Sequence, residues 1–364
     1  MDVAHQRLFN QRIDSGRFER PEDVVRWMGA MQAQDYQASL WAIGLRTEAA
    51  TLADVEQAVC DRKILRTWPM RGTLHFVPAE DAKWMLALSA VRMLGRDKRR
   101  QEQLELNEQI IERARELFYA ALQGGRYLTR PDAMKLLEDA GISTKGQRGY
   151  HLLWYLSQSG TLCLGPMENK QQTFVLLDEW VADPREFSRE EALAEFVFRY
   201  ITSHGPATIQ DFAWWAGLTL TEAKAGFESV KSKLQMEKIN GQSYWIATDA
   251  PSRAEYSASS LHLLPGFDEY LLGYKDRSAV LAAEYAFKIV PGNNGVFMPT
   301  IVASGQVTGI WRRTLKKNAV DLQLQPFIQS GDAETETNVS DAANRYSAFL
   351  NLPLSATTIQ PATI

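Results

Sequence analysis

The sequence predicts an α+β protein: three tandem winged-helix units followed by a smaller β-rich domain. Three observations predict it. A pattern of helices followed by a pair of short strands recurs about three times. Each recurrence is punctuated by glycine or proline. From about residue 258 the helical period gives way to strand-like runs. The boundaries fall at 1–123, 124–185, 186–250 and 251–364, and 364 residues are enough for several cores.

Residues 1–20 carry Leu8, Ile13 and Phe18 among Arg and Gln, and a first helix is expected here, ending near Gly16. Pro21, Glu22 and Asp23 suit the first turn of a second helix. Proline lacks only an N–H that has no helical partner there, and the acids favour the positive end of the dipole. Val24, Trp27, Met28 and Met31 form its apolar stripe. Gln32 and Gln34 follow around Ala33. In a continuing helix, residues i and i+2 point to nearly opposite sides. In an extended segment they share a side while the residue between them turns inward. Two amides serving one site therefore require the helix to be finished or irregular by about Gln32, with Ala33 in the core. The alternative is two ordinary surface glutamines.

An apolar run through Leu40, Trp41, Ile43 and Leu45 comes next. Thr51-Leu52-Ala53-Asp54 then reads as a capping box variant opening another helix. Residues 64–77 are rich in β-formers, broken at Pro69 and Gly72, and read as two strands with a bend. Pro78-Ala79-Glu80-Asp81 opens a helix through Trp84, Leu86, Leu88 and Met93, and another helix covers 106–122 up to Gly124-Gly125.

The second unit repeats the pattern. Thr129 caps a helix that ends at Gly141, a helix carrying Leu152, Leu153 and Leu156 stops at Gly160, and strands cover 161–164 and 172–176. In the third unit, a helix through Phe196, Val197, Tyr200 and Ile201 leads to the cap Thr208-Ile209-Gln210-Asp211 and a helix ending at Gly217. A longer helix runs from about Thr221 to Leu234. Strands over 234–239 and 244–247 are joined at Asn240-Gly241, a strong hairpin signal. The last domain is predicted to hold strands at 261–264, 295–302 and 306–311, a polar loop at 331–338, a helix through Tyr346 and Phe349, and an extended tail.

The formal net charge of −4 gives no bulk attraction to nucleic acid. Between Arg62 and Arg100, however, ten Lys or Arg face three acids, a local basic patch of the kind that meets phosphates. A solvated helix face is the plainer reading. Cys60 and Cys163 sit in apolar settings and read as buried thiols in a reducing compartment. There is no signal-peptide core and no apolar run of transmembrane length, so the expected location is the cytoplasm, with no membrane partner. A glycine-rich phosphate loop, HExxH and CxxC are all absent, which leaves no support for a cofactor or metal. Asp268 and Glu269 are the acids to weigh for carboxylate chemistry, against the simpler reading of a turn after a strand.

Four stretches carry a resemblance: Gln32-Ala33-Gln34; Trp68 through His75; Leu264 through Tyr270 with Tyr274-Lys275-Asp276-Arg277; and Gly309-Ile310-Trp311-Arg312-Arg313. In this order they resemble the HTH_42 family, the AlkZ-like winged-helix DNA glycosylases that include the YcaQ branch, over about residues 5–352. The resemblance implies three tandem winged helices plus a small β-domain, in a C-shaped body around double-stranded DNA with alkylated bases. It implies removal of N7-alkylated purines, with unhooking of interstrand crosslinks in some members. Gln32 and Gln34 match the Gln-x-Gln catalytic motif, and Ala33 stands where a bulkier apolar residue is usual. Arg62, Arg66, Arg71, Arg96, Arg99, Arg312 and Arg313 are the candidates for holding DNA phosphates. Glutamine is a poor general base, because its amide does not take up a proton as a carboxylate does, but it can hold water. That suits a leaving group already made cationic by alkylation. The rival readings are a non-catalytic DNA-binding protein and, more weakly, a hydrolase using Asp268. A regulator usually carries a dimerisation helix, and no clear heptad seam is present; the expected state is a monomer.

Overall fold

The computed structural model describes residues 2–249, 260–328 and 333–361. Its contacts divide the chain into two units, one of residues 1–55 with 194–364 and the other of 56–193.

The unit of residues 56–193 is built on five strands lying side by side, in the order Thr73–Pro78, Ile64–Met70, Leu162–Leu164, Thr173–Leu176 and Leu128–Thr129. All neighbours are antiparallel. The first two strands turn at Arg71 and Gly72, both at positive φ. Helices Glu108–Leu122, Arg130–Asp139 and Arg148–Gln158 close over a core of Phe118, Leu137, Leu152, Leu156, Leu162 and Phe174. Helix ends fall where the glycines require them: Gly124, Gly125, Gly141 and Gly160 all have positive φ. A short 3₁₀ turn, Ala79–Asp81, leads into the long helix Ala82–Gln103.

The other unit contains the expected run of three helices and a hairpin. Helices Arg189–His204, Ile209–Ala216 and Leu220–Ser229 precede strands Leu234–Ile239 and Gln242–Ala247. Thr208 and Thr219 each form a full capping box, with Asp211 and Glu222. Asn240 and Gly241 both take positive φ, as a two-residue type I′ turn requires. Its second sheet runs in the order Leu354–Ile359, Val320–Pro326, Gln306–Leu315, Thr300–Ala303 and Leu261–Leu264. The first pair is parallel and the rest antiparallel. Helix Ala333–Leu350 packs on it, with Tyr346 edge-on to both Trp41 and Trp311.

Several expectations are corrected. Helix Val3–Asn10 ends well before Gly16, closed by backbone bonds into the turn at Gln11 and Arg12. The third-unit helix stops at Ser229 rather than Leu234, where a 3₁₀ turn intervenes. The strand predicted at 295–302 begins at Thr300. The loop predicted at 331–338 is helical from Ala333, because Glu334 and Glu336 suit a first helical turn; positions 331 and 332 lie outside the described residues. Cys163 is buried as expected, but Cys60 is exposed at the end of helix Leu52–Cys60.

The segment after helix Pro21–Met28 matters most for the site. Pro21 occupies the first turn with Glu22 and Asp23, and Pro21, Val24, Val25 and Met28 are buried. Gly29, at φ +78 and ψ −55, accepts a turn that a side chain would strain, and ends the helix. A Cβ there would also sit 3.2 Å from Arg199 Cδ. The Gly29→Ala variant is expected to lose about 1–2 kcal/mol of stability or more, read as a lower urea midpoint with an unchanged m-value.

Candidate functional site

With the helix finished at Met28, Met31–Gln32 forms a two-residue strand, and Asp35 caps helix Tyr36–Gly44 by accepting from the Ala38 N–H at 3.1 Å. Ala30, Met31 and Ala33 are buried, Gln32 is half-buried and Gln34 is exposed. This is the alternation expected of two glutamines on one side of an extended segment with Ala33 turned into the core.

What fixes the segment is an acidic pair from elsewhere in the same unit. Asp268 caps the short helix Glu269–Leu272, accepting from the Tyr270 N–H at 2.9 Å. Its two oxygens also accept from Arg46, at 2.8 and 2.9 Å. Arg46 and Asp268 are both buried, and the guanidinium donates further to the Ala42 carbonyl and to Gln11 Oε1. Glu269 is 1% exposed. Its Oε1 accepts from the Gln32 N–H at 2.8 Å and its Oε2 from Trp215 Nε1–H at 2.9 Å, with His204 Nε2 3.6 Å from Oε2. Trp215 belongs to a buried aromatic cluster with Phe196, Tyr200, His204 and Phe212. Tyr274 continues the network, donating to the His204 carbonyl at 2.6 Å and accepting from Gln11 Nε2 at 3.0 Å, with Arg7 stacked on its ring.

The hydrolase reading needs Asp268 exposed in a pocket, and the structure instead buries it in a bidentate ion pair. Sequence reasoning set Glu269 aside as part of a turn and missed its contact with Gln32. The available signal was two adjacent acids leading straight into Tyr270, Leu271 and Leu272, a setting in which charge must find partners.

The arginines divide. Arg312 is exposed on strand Gln306–Leu315, in the same unit as the glutamines, and the half-buried Arg313 beside it donates to the Tyr346 hydroxyl. The other five belong to the unit of residues 56–193. Arg96 and Arg99 are exposed on helix Ala82–Gln103, on either side of the buried Asp97, which is 2.8 Å from His151 Nε2. Arg62 is exposed, lies over the Trp180 ring and donates to the Glu179 carbonyl. Arg71, half-buried, donates to His75 Nε2 at 3.2 Å, and His75 Nδ1–H donates to the Thr73 carbonyl at 2.9 Å. Arg66 is corrected as a phosphate contact: its strand is buried along its whole length and the residue is 3% exposed.

The buried scaffold that holds the Gln32-Ala33-Gln34 segment belongs to a class of proteins that the comparisons define. A family model described as "DNA glycosylase AlkZ-like" matches residues 25–349. The chain belongs to that family and is a DNA glycosylase, which sets aside the non-catalytic reading. It is 28% identical over 372 residues to the "Interstrand DNA cross-link repair glycosylase" of Streptomyces sahachiroi, covering 96% of each chain. It shares the fold of the solved "Streptomyces sahachiroi DNA glycosylase AlkZ", with a TM-score of 0.81 at 24% identity over 99% of this chain and 98% of that one. No described helix is long and apolar enough to cross a membrane.

Two expectations follow from the buried network. Asp268→Asn leaves Arg46 without its charge partner in the core and is expected to cost about 3–5 kcal/mol, measured by denaturant unfolding. Burial also pulls His204 and His262 below the ordinary imidazole range, opposed in part by Glu269 and Asp14. The unfolded chain takes up these protons near pH 6.5, whereas the folded one resists them. Unfolding then binds protons, so this part of the stability is present above about pH 6.5 and is lost as the pH falls below it. The Tm is expected to drop between about pH 7.5 and 5.5, and to drop less in the His262→Gln variant.

Proposed function

We propose that the chain excises N7-alkylated purines from double-stranded DNA and unhooks interstrand crosslinks, with Gln32 and Gln34 holding the attacking water. The observation that carries this reading is the placement of Gln32 and Gln34 on the side of an extended segment opposite the buried Ala33. Its crosslink part draws on the relative from Streptomyces sahachiroi, whose name states that role.

Alkylation at N7 places a positive charge on the purine. As the N9–C1′ bond breaks, the departing base keeps the bonding electron pair and becomes neutral, while C1′ becomes oxocarbenium-like. Water then adds to C1′ and its proton passes to solvent. The two amides contribute by orienting that water, a matter of geometry rather than of proton abstraction. The small Ala33 sets the depth of the segment against its core. Arg96, Arg99 and Arg312, being exposed, are the proposed phosphate contacts, joined by Arg62, Arg71 and Arg313 once DNA competes for the groups they now bind. The tandem winged-helix organisation, with boundaries at 123, 185 and 250 and a C-shaped body on the DNA, belongs to the same proposal. So do the monomeric state and the cytoplasmic location. The three helices and hairpin of residues 189–247 support the winged-helix part.

The test is release of free 7-methylguanine from methylated duplex DNA by the wild type, by Gln32→Ala, by Gln34→Ala and by the double variant. The wild type is expected to release the base. The double variant is expected to lose roughly a hundredfold or more in single-turnover rate while keeping its affinity for DNA. Equal release by all four removes the glutamines from the chemistry. Binding without release by the wild type points to a bulkier or crosslinked lesion, to be tried next.

A further inference from the structure

Glu269 stands out among the buried groups because the bond it makes is to the site itself. Met31–Gln32 is only two residues long. The Gln32 N–H donates to a carboxylate 237 residues away in sequence. A buried carboxylate is a costly acceptor, and an apolar side chain would serve a core at least as well. It recovers that cost only through what it binds.

The geometry points to Glu269 as the positioning residue that sets the Gln32-Ala33-Gln34 segment, through the Gln32 backbone rather than through either amide. This rests on the glutamine reading above. The donor pattern makes the case specific. Gln32 N–H and Trp215 Nε1–H approach different oxygens of the same side chain. A carboxylate offers an acceptor to each. A glutamine at 269 has one oxygen and one NH2, so whichever way it turns, one N–H faces another donor. Trp215 is buried in the aromatic cluster and has no room to yield, so the strain falls on the short segment that carries the glutamines.

A rescue follows. In the Trp215→Phe background the competing donor is gone, and a glutamine at 269 can turn its oxygen to the Gln32 N–H. The experiment measures single-turnover release of 7-methylguanine, the Kd for the same DNA and the Tm. It uses wild type, Glu269→Gln, Trp215→Phe, the Trp215→Phe/Glu269→Gln pair, and Gln32→Ala/Gln34→Ala as reference.

Glu269→Gln is expected to lose roughly ten- to a hundredfold in rate, with Kd changed by no more than about twofold. The pair is expected to recover to within about threefold of Trp215→Phe alone. Wild-type rate in Glu269→Gln overturns the inference. So does a loss that the pair fails to recover, which marks a merely structural role. If Gln32→Ala/Gln34→Ala is inactive while Glu269→Gln is not, only this inference falls; if the glutamine variant stays active, the glutamine reading falls and takes this one with it. Should Glu269→Gln fail to fold, amide exchange in the wild type decides. A Gln32 N–H protected like the core upholds the bond to Glu269, and one that exchanges like an exposed loop overturns it.

Discussion

The structure around the glutamines depends on one adjacent pair of buried acids, Asp268 and Glu269. Asp268 holds Arg46, which follows helix Tyr36–Gly44, and Glu269 holds Gln32, which precedes it. One dipeptide thus ties both flanks of that helix to the same place. Two charges are costly to bury, and both are held by geometry: two parallel N–H donors on one acid, and one donor on each oxygen of the other. Because Asp268 also caps the helix that Glu269 begins, the two carboxylates cannot shift independently.

The aromatic cluster behind Glu269 gives this arrangement its rigidity. Tyr200 stacks on His204 at 4.7 Å, Trp215 lies 4.8 Å from Tyr200, and Tyr274 donates to the His204 carbonyl. Helix Arg189–His204 and helix Ile209–Ala216 supply most of these rings. The unit of three helices and a hairpin therefore backs the glutamine segment as well as forming a fold element of its own. The cost of opening such a packed polar network is spread over all its members, which is how a short, irregular segment can be held as firmly as a long strand.

Much of the fold was legible because local chemistry decides it. Thr51, Thr129 and Thr208 begin helices, Gly124, Gly141, Gly160 and Gly217 end them, and Asn240-Gly241 turns the hairpin. The end of the helix before Gln32 was expected only on the condition that both amides serve one site; the structure ends it at Gly29. Three things were not legible. The burial of Arg66 depends on strand pairing with Phe76 and Leu164, from a distant part of the chain. The exposure of Cys60 depends on which face of a short helix meets the core. The role of Glu269 depends on a contact across 237 residues, and no local pattern reports that an acid after a strand will fold inward to meet a backbone N–H.

The orientation of Glu269 also bears on the proposed chemistry. A carboxylate lies one hydrogen bond from the glutamine segment, yet its oxygens are turned to Gln32 N–H and Trp215 Nε1–H, away from solvent. A glycosylase acting on neutral purines needs strong help at C1′, and an acid so near would be the natural group to expose. Under the reading proposed here the substrate brings its own activation, since alkylation makes the base a cationic leaving group. The enzyme then needs water held in one place more than it needs a base to deprotonate it. An acid spent on fixing the backbone, with two amides presented in its stead, is the division of labour that such a substrate permits. A neutral substrate would reverse it.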